Sequence, residues 1–146
     1  MKVKTRFLGE LEAEEKDIIT FEDGILGFSN LKKYLMVYDE SNQCFNYLQA
    51  MEDVNVCFII TSPFFVIPDF SIDINGDSVK KLGIEEEKDV MLYSIVTIPE
   101  DVKQMTANMK APLVVNLKNR KALQEVLDDD RYTVNHRIVK EADASC

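Results

Sequence analysis

The chain has 146 residues, the length of one ordinary domain, with the 46% apolar and 29% charged content usual for globular proteins. Its 26 acidic and 17 basic residues give a net charge of −9, which repels phosphate backbones and argues against direct nucleic-acid binding. No stretch approaches the ~20 apolar residues of a membrane span. The predicted elements begin with Val3, Thr5 and Phe7 alternating against Lys2, Lys4 and Arg6, the period of a half-buried strand over residues 3–8. The acidic run Glu10-Leu11-Glu12 then falls where a secretory leader must be apolar, so no leader is expected. Residues 17–21 form the next strand candidate. Ser29 is placed to cap a helical turn over residues 31–33. Residues 34–38 and 45–49 form two strands, and the polar segment between them predicts a hairpin.

Residues 56–60, Val-Cys-Phe-Ile-Ile, are apolar throughout and read as a strand covered on both faces. Phe70, Ile72 and Ile74 alternate with polar residues until Asn75-Gly76 breaks the run, predicting one more strand. Asp77 or Ser78 is the expected cap of a helical turn over residues 79–82, with Gly83 as its left-handed stop. Residues 90–98 form a long strand candidate, and residues 99–105 a turn or two of helix. A strand opens at Leu113 after Pro112. Residues 122–127 fit a strand or a helical turn equally. Turns recur at the spacing of a β-sandwich or barrel, and no linker or repeat divides the chain. The expected organisation is one mainly β, antiparallel domain over residues 1–140 with a few short helices, followed by a frayed tail over residues 141–146.

Motifs for catalysis are sparse. The three cysteines, Cys44, Cys57 and Cys146, are odd in number and widely spaced, which argues for free thiols and a reducing, cytoplasmic compartment. Cys57 lies in the apolar run and reads as core. The single histidine, His136, reads as a surface residue on an edge strand. A Cys44–His136 nucleophile pair is the one catalytic arrangement the residue types permit, as an enzyme or small-molecule-binding barrel, but no motif joins the two. Phosphate-cradling, dinucleotide and metal-ligand spacings are absent, so no cofactor or metal is expected. Glu85, Glu86 and Glu87, and Asp128, Asp129 and Asp130, read as solvated turns or as a partner-binding patch. Phe64 and Phe65 are the apolar anchors such a patch would use.

Four segments together resemble the FliW family. They are Ile19-Thr20-Phe21-Glu22-Asp23-Gly24-Ile25-Leu26-Gly27-Phe28, with Leu26 where proline is common; Phe45-Asn46-Tyr47-Leu48-Gln49-Ala50; residues 58–70 with Ser62-Pro63-Phe64 and Pro68-Asp69; and Thr106-Ala107-Asn108-Met109-Lys110-Ala111-Pro112-Leu113-Val114-Val115-Asn116. Within these motifs Phe21, Leu48, Phe58 and Ile59 read as core. Gly24, Gly27 and Pro112 read as turn geometry, and Asp69, Asn108 and Asn116 as turn or strand-end hydrogen bonding. The resemblance implies a compact antiparallel β-barrel-like domain and a non-enzymatic flagellar assembly factor acting by a partner switch. In that switch the protein sequesters the RNA-binding translational repressor CsrA, and flagellin captures it in turn. A flagellin-specific chaperone without the regulatory arm is the alternative.

Overall fold

The computed structural model describes residues 1–41 and 44–138. Among them run eleven strands: β1 (Lys2–Lys4), β2 (Glu10–Glu12), β3 (Ile18–Phe21), β4 (Lys33–Tyr38), β5 (Phe45–Ala50), β6 (Cys57–Thr61), β7 (Val90–Thr97), β8 (Thr106–Ala107), β9 (Leu113–Asn116), β10 (Lys121–Gln124) and β11 (His136–Arg137). Two short helices, α1 (Pro63–Val66) and α2 (Gly76–Leu82), fall between β6 and β7. The tail expected over residues 141–146 lies outside the described residues.

Nine strands share one sheet in the order β11-β8-β7-β6-β5-β4-β3-β10-β9, and β9 pairs again with β7. That last pairing closes a barrel of seven strands, β3 to β7 with β9 and β10. Its pairings are antiparallel except β3 with β10, which is parallel. The expected hairpin is β4–β5, in register from Tyr34 opposite Ala50 to Tyr38 opposite Asn46.

Strand alternation sorts side chains between the interior and the outer faces. Ile19, Phe21, Tyr34, Met36, Leu48, Ile60, Tyr93, Leu113 and Val115 form the interior cluster. Intervening residues feed two outer clusters. Leu35 and Val37 of β4 are covered by Val3 and Ala13 around the β1–β2 hairpin. Val96 of β7 packs with Phe70, Met109, Leu127, Tyr132 and Ile138. This explains why residues 56–60 carry no polar alternation: Phe58 and Ile60 face the interior cluster while Ile59 packs on the outer one.

Several boundaries differ from the sequence reading. The first strand stops at Lys4, because Thr5 Oγ1 and its backbone N–H both donate to the carbonyl of Gly9 and close a turn. Residues 70–74 keep their alternating burial but join no ladder. No helix forms over residues 31–33; the chain turns at residues 29–30 and enters β4. The α2 cap is Asn75, whose Oδ1 accepts from the Ser78 N–H at 2.8 Å, rather than Asp77 or Ser78. Gly83 stops the helix as expected, at φ 66°. Residues 121–124 resolve as strand, held between β9 and β3. Helix α1 was not expected; Ser62 caps it and Pro63 opens it.

Candidate protein-binding groove

Helix α1, residues 71–74, the start of β7 and the loop after α2 enclose a groove of about 690 Å³. Ser62 Oγ accepts from the Phe64 N–H at 3.3 Å and starts α1, leaving Phe64 at the groove end with 48% of its surface exposed. The Phe64 ring meets Phe70 edge-on at a centroid distance of 6.0 Å, which fixes its orientation. Ile72, Ile74, Val79 and Ile84 add apolar wall, and Met91 of β7 is 45% exposed there.

Glu85, Glu86 and Glu87 border the same groove, and all three are exposed. Gly83 ends α2 and turns the chain so that these residues follow directly. Glu85 lies 3.9 Å from Lys118 Nζ and Glu86 lies 3.3 Å from Lys88 Nζ, both solvent-exposed pairs. Asp73 adds a further carboxylate from the opposite wall. An apolar floor with an acidic rim suits a protein segment that is apolar on one side and basic on the other.

The structure divides the other candidates. Asp128 and Asp129 line a separate depression of about 330 Å³, which adjoins the groove through Ser71, Ile72 and Asp73. Asp129 accepts from Arg131 Nη2 at 2.7 Å and Nε at 3.1 Å, and this guanidinium holds its carboxyl down to about 2. Asp130 is exposed in the turn before Tyr132 and lines neither depression. Phe65 turns away from the groove and meets Phe45 edge-on at 6.4 Å against the outer cluster.

The wall formed by residues 71–75 is tied down by a residue the sequence did not flag. Glu125 is buried just after β10, where it accepts from the Asn75 backbone N–H at 3.0 Å and from Ser78 Oγ at 2.8 Å. Tyr132 adds a second tie, its hydroxyl lying 3.2 Å from the Ser71 N–H it accepts from. Glu125 lies in residues 122–127, a run that fits a strand or a helical turn equally and marks no role for it, so only tertiary contact reveals it.

The motif residues behave as scaffold. Phe21 and Leu48 are fully buried, and Phe58 and Ile59 pack as read. Gly24 has φ 70°, and a Cβ there would lie 2.6 Å from the Ser29 Cα. Asn108 Oδ1 accepts from the Ala111 N–H at 3.0 Å, and Asn116 Nδ2 donates to the Leu82 carbonyl at 2.9 Å. His136 is half-buried on β11 at the end of the sheet, the edge position expected. One cysteine expectation changes. Cys44 is buried and disulfide-bonded, so it is neither the free thiol expected nor a thiolate for His136. Cys57 is the free thiol among the described residues, and burial pushes it up to about 11, which leaves it unreactive at neutral pH. No group of three or more metal-ligating side chains occurs among the described residues, and no described helix is long and apolar enough to cross a membrane.

Comparison with known proteins agrees over nearly all of the chain. The sequence model of the family described as FliW protein matches residues 2–138. A flagellar assembly factor FliW from Alkaliphilus metalliredigens is 42% identical over 142 residues, covering 97% of this chain and 88% of the relative. One from Caldicellulosiruptor bescii is 44% identical over 136 residues, covering 93% and 89%. Among solved structures, a crystal structure of the flagellar assembly factor FliW matches with a TM-score of 0.89 at 34% identity, covering 97% of this chain and 99% of that one.

Proposed function

The chain belongs to the FliW family, and from that premise we propose that it is a cytoplasmic, non-enzymatic flagellar assembly factor that binds the repressor CsrA and, alternatively, flagellin. Sequestering CsrA frees flagellin translation; accumulating flagellin captures the protein and restores repression. Family membership over nearly the full chain carries the reading. The acidic rim at Glu85, Glu86 and Glu87 beside exposed Phe64 supports it, because an acidic surface on a chain of net charge −9 steers encounter with a basic RNA-binding protein. Asp128, Asp129 and Asp130 extend the negative field on the adjoining surface.

Calorimetric titration of the protein into purified CsrA, with and without flagellin, tests this. A saturable complex abolished by flagellin is expected. No heat at several temperatures, together with no co-elution on a sizing column, removes the regulatory arm. Binding to flagellin alone leaves a dedicated chaperone.

A further inference from the structure

The groove is bordered on both long sides by backbone that has no ladder partner. One side of β7 is paired over most of its length: Val90, Met91, Leu92 and Tyr93 with β9, and Val96 and Thr97 with β8. On its other side β6 covers only Ser94, Ile95 and Val96. Beyond Thr61 the chain leaves the sheet at Ser62 and coils into α1. Residues 90–93 therefore present a free strand edge on the β6 side among the described residues. Three of them, Val90, Met91 and Leu92, line the groove.

Across the groove, residues 71–74 alternate exposed and half-buried as a strand does. Their ends are pinned: Ser71 bonds the Tyr132 hydroxyl and Asn75 bonds Glu125. Between the pins, the backbone groups of Ile72, Asp73 and Ile74 make no hydrogen bond to any described residue. Closure of the barrel leaves several short stretches unpaired, and residues 90–93 are the one of these that lies in the groove, beside exposed Phe64 and Met91.

We propose that this groove binds an extended segment of a protein partner by strand addition, with the segment pairing its backbone to the free edge of β7 and directing lysine or arginine side chains to Glu85, Glu86, Glu87 and Asp73. The inference rests on the reading of the groove as a protein-binding surface and specifies how it binds. A docked helix has its own backbone bonds satisfied internally. It would cover the edge amides and carbonyls without pairing them, and burying such groups unpaired is costly. A strand pairs them and also places alternate side chains on opposite sides. One row then reaches Phe64, Ile72 and Met91 while the other reaches the carboxylates. At ~3.4 Å per residue, a segment of about five residues spans the free edge of β7.

Amide hydrogen exchange resolved to single residues tests the proposal, on the full chain alone and with CsrA, flagellin or a synthetic octapeptide of alternating lysine and isoleucine. Expected is at least about tenfold slower exchange at the groove-facing amides of residues 90–93 and at residues 72–74, in one or more of the complexes. The variant E85K/E86K/E87K, altered only at exposed positions, is expected to raise the Kd of that complex about tenfold or more. A complex that leaves these amides exchanging as in the free protein overturns strand addition, even where the charge reversals weaken it. Failure of both CsrA and flagellin to bind overturns the proposed function instead. The octapeptide then decides the groove by itself, and absence of protection at millimolar peptide overturns the present inference.

Discussion

Gln49 is fully buried on β5, yet it serves the surface. Its Oε1 accepts from the Arg6 N–H at 2.9 Å, and its Nε2 lies within 3.1–3.4 Å of the carbonyls of Ala50, Asp53, Val54 and Val56. One amide thereby shapes the β5–β6 loop and anchors the turn of the β1–β2 hairpin. Gln49→Ala strands these groups, so a loss of about 2–3 kcal/mol is expected, read as a lower urea midpoint at unchanged slope. Tyr34 shows the opposite case. Its hydroxyl is buried with no partner among the described residues, and burial first, then the charge of Glu52, pushes it up to about 12. Tyr93 is raised as well, by burial first and then by Tyr38. A phenol held neutral in the fold contributes stability that is complete below its unfolded value near 10 and is lost as pH rises through the folded value. Stability is therefore expected to fall between about pH 10 and 12, and ultraviolet titration of the phenols to show a late class that ionises normally once urea is added.

At the scale of elements, α2 and the segment before it act as one clamp. Asn75 caps α2 through its side chain and fixes residues 71–75 through its backbone bond to Glu125. Asn75→Ala removes the cap and the long 3.5 Å side-chain bond to Glu125 while leaving the backbone tie, and is expected to cost about 1 kcal/mol by urea titration. Glu125→Ala strands the part-buried Asn75 N–H and the buried Ser78 Oγ together and is expected to cost more, about 2 kcal/mol. If the two variants cost the same, Glu125 does not act as the tie. The alternation of residues 70–74 was legible, but its ladder was not. Period two reports which side chains are covered and says nothing of whether a neighbouring strand exists.

At the scale of the whole molecule, charge and shape act together. The net charge of −9 sets a long-range field, while the groove localises Glu85, Glu86, Glu87 and Phe64 within one surface. If the field steers CsrA, raising salt from 50 to 300 mM slows association by about tenfold and changes dissociation much less, as stopped-flow mixing would show. Equal effects on both rates would assign the charges to the bound interface and not to steering. The candidate site was half legible on the same grounds. Phe64 and the glutamates carry their own signal as exposed aromatic and acidic run. The separation of Asp128 and Asp129 into a neighbouring depression, and the inward turn of Phe65, depend on the path of residues 67–75 between them.

By itself the sequence determined strands β3, β4, β5, β6 and β7, the β4–β5 hairpin, the Gly83 helix stop and the family to which the four motifs point. These rest on local backbone preference and on side-chain periodicity, both of which are written in neighbouring residues. The tertiary structure alone decided the barrel closure through β7 and β9, the buried role of Glu125 and the free edge beside the groove. Each of these joins residues distant in the chain, 50 positions apart for Asn75 and Glu125, and no local pattern encodes a partner at that separation.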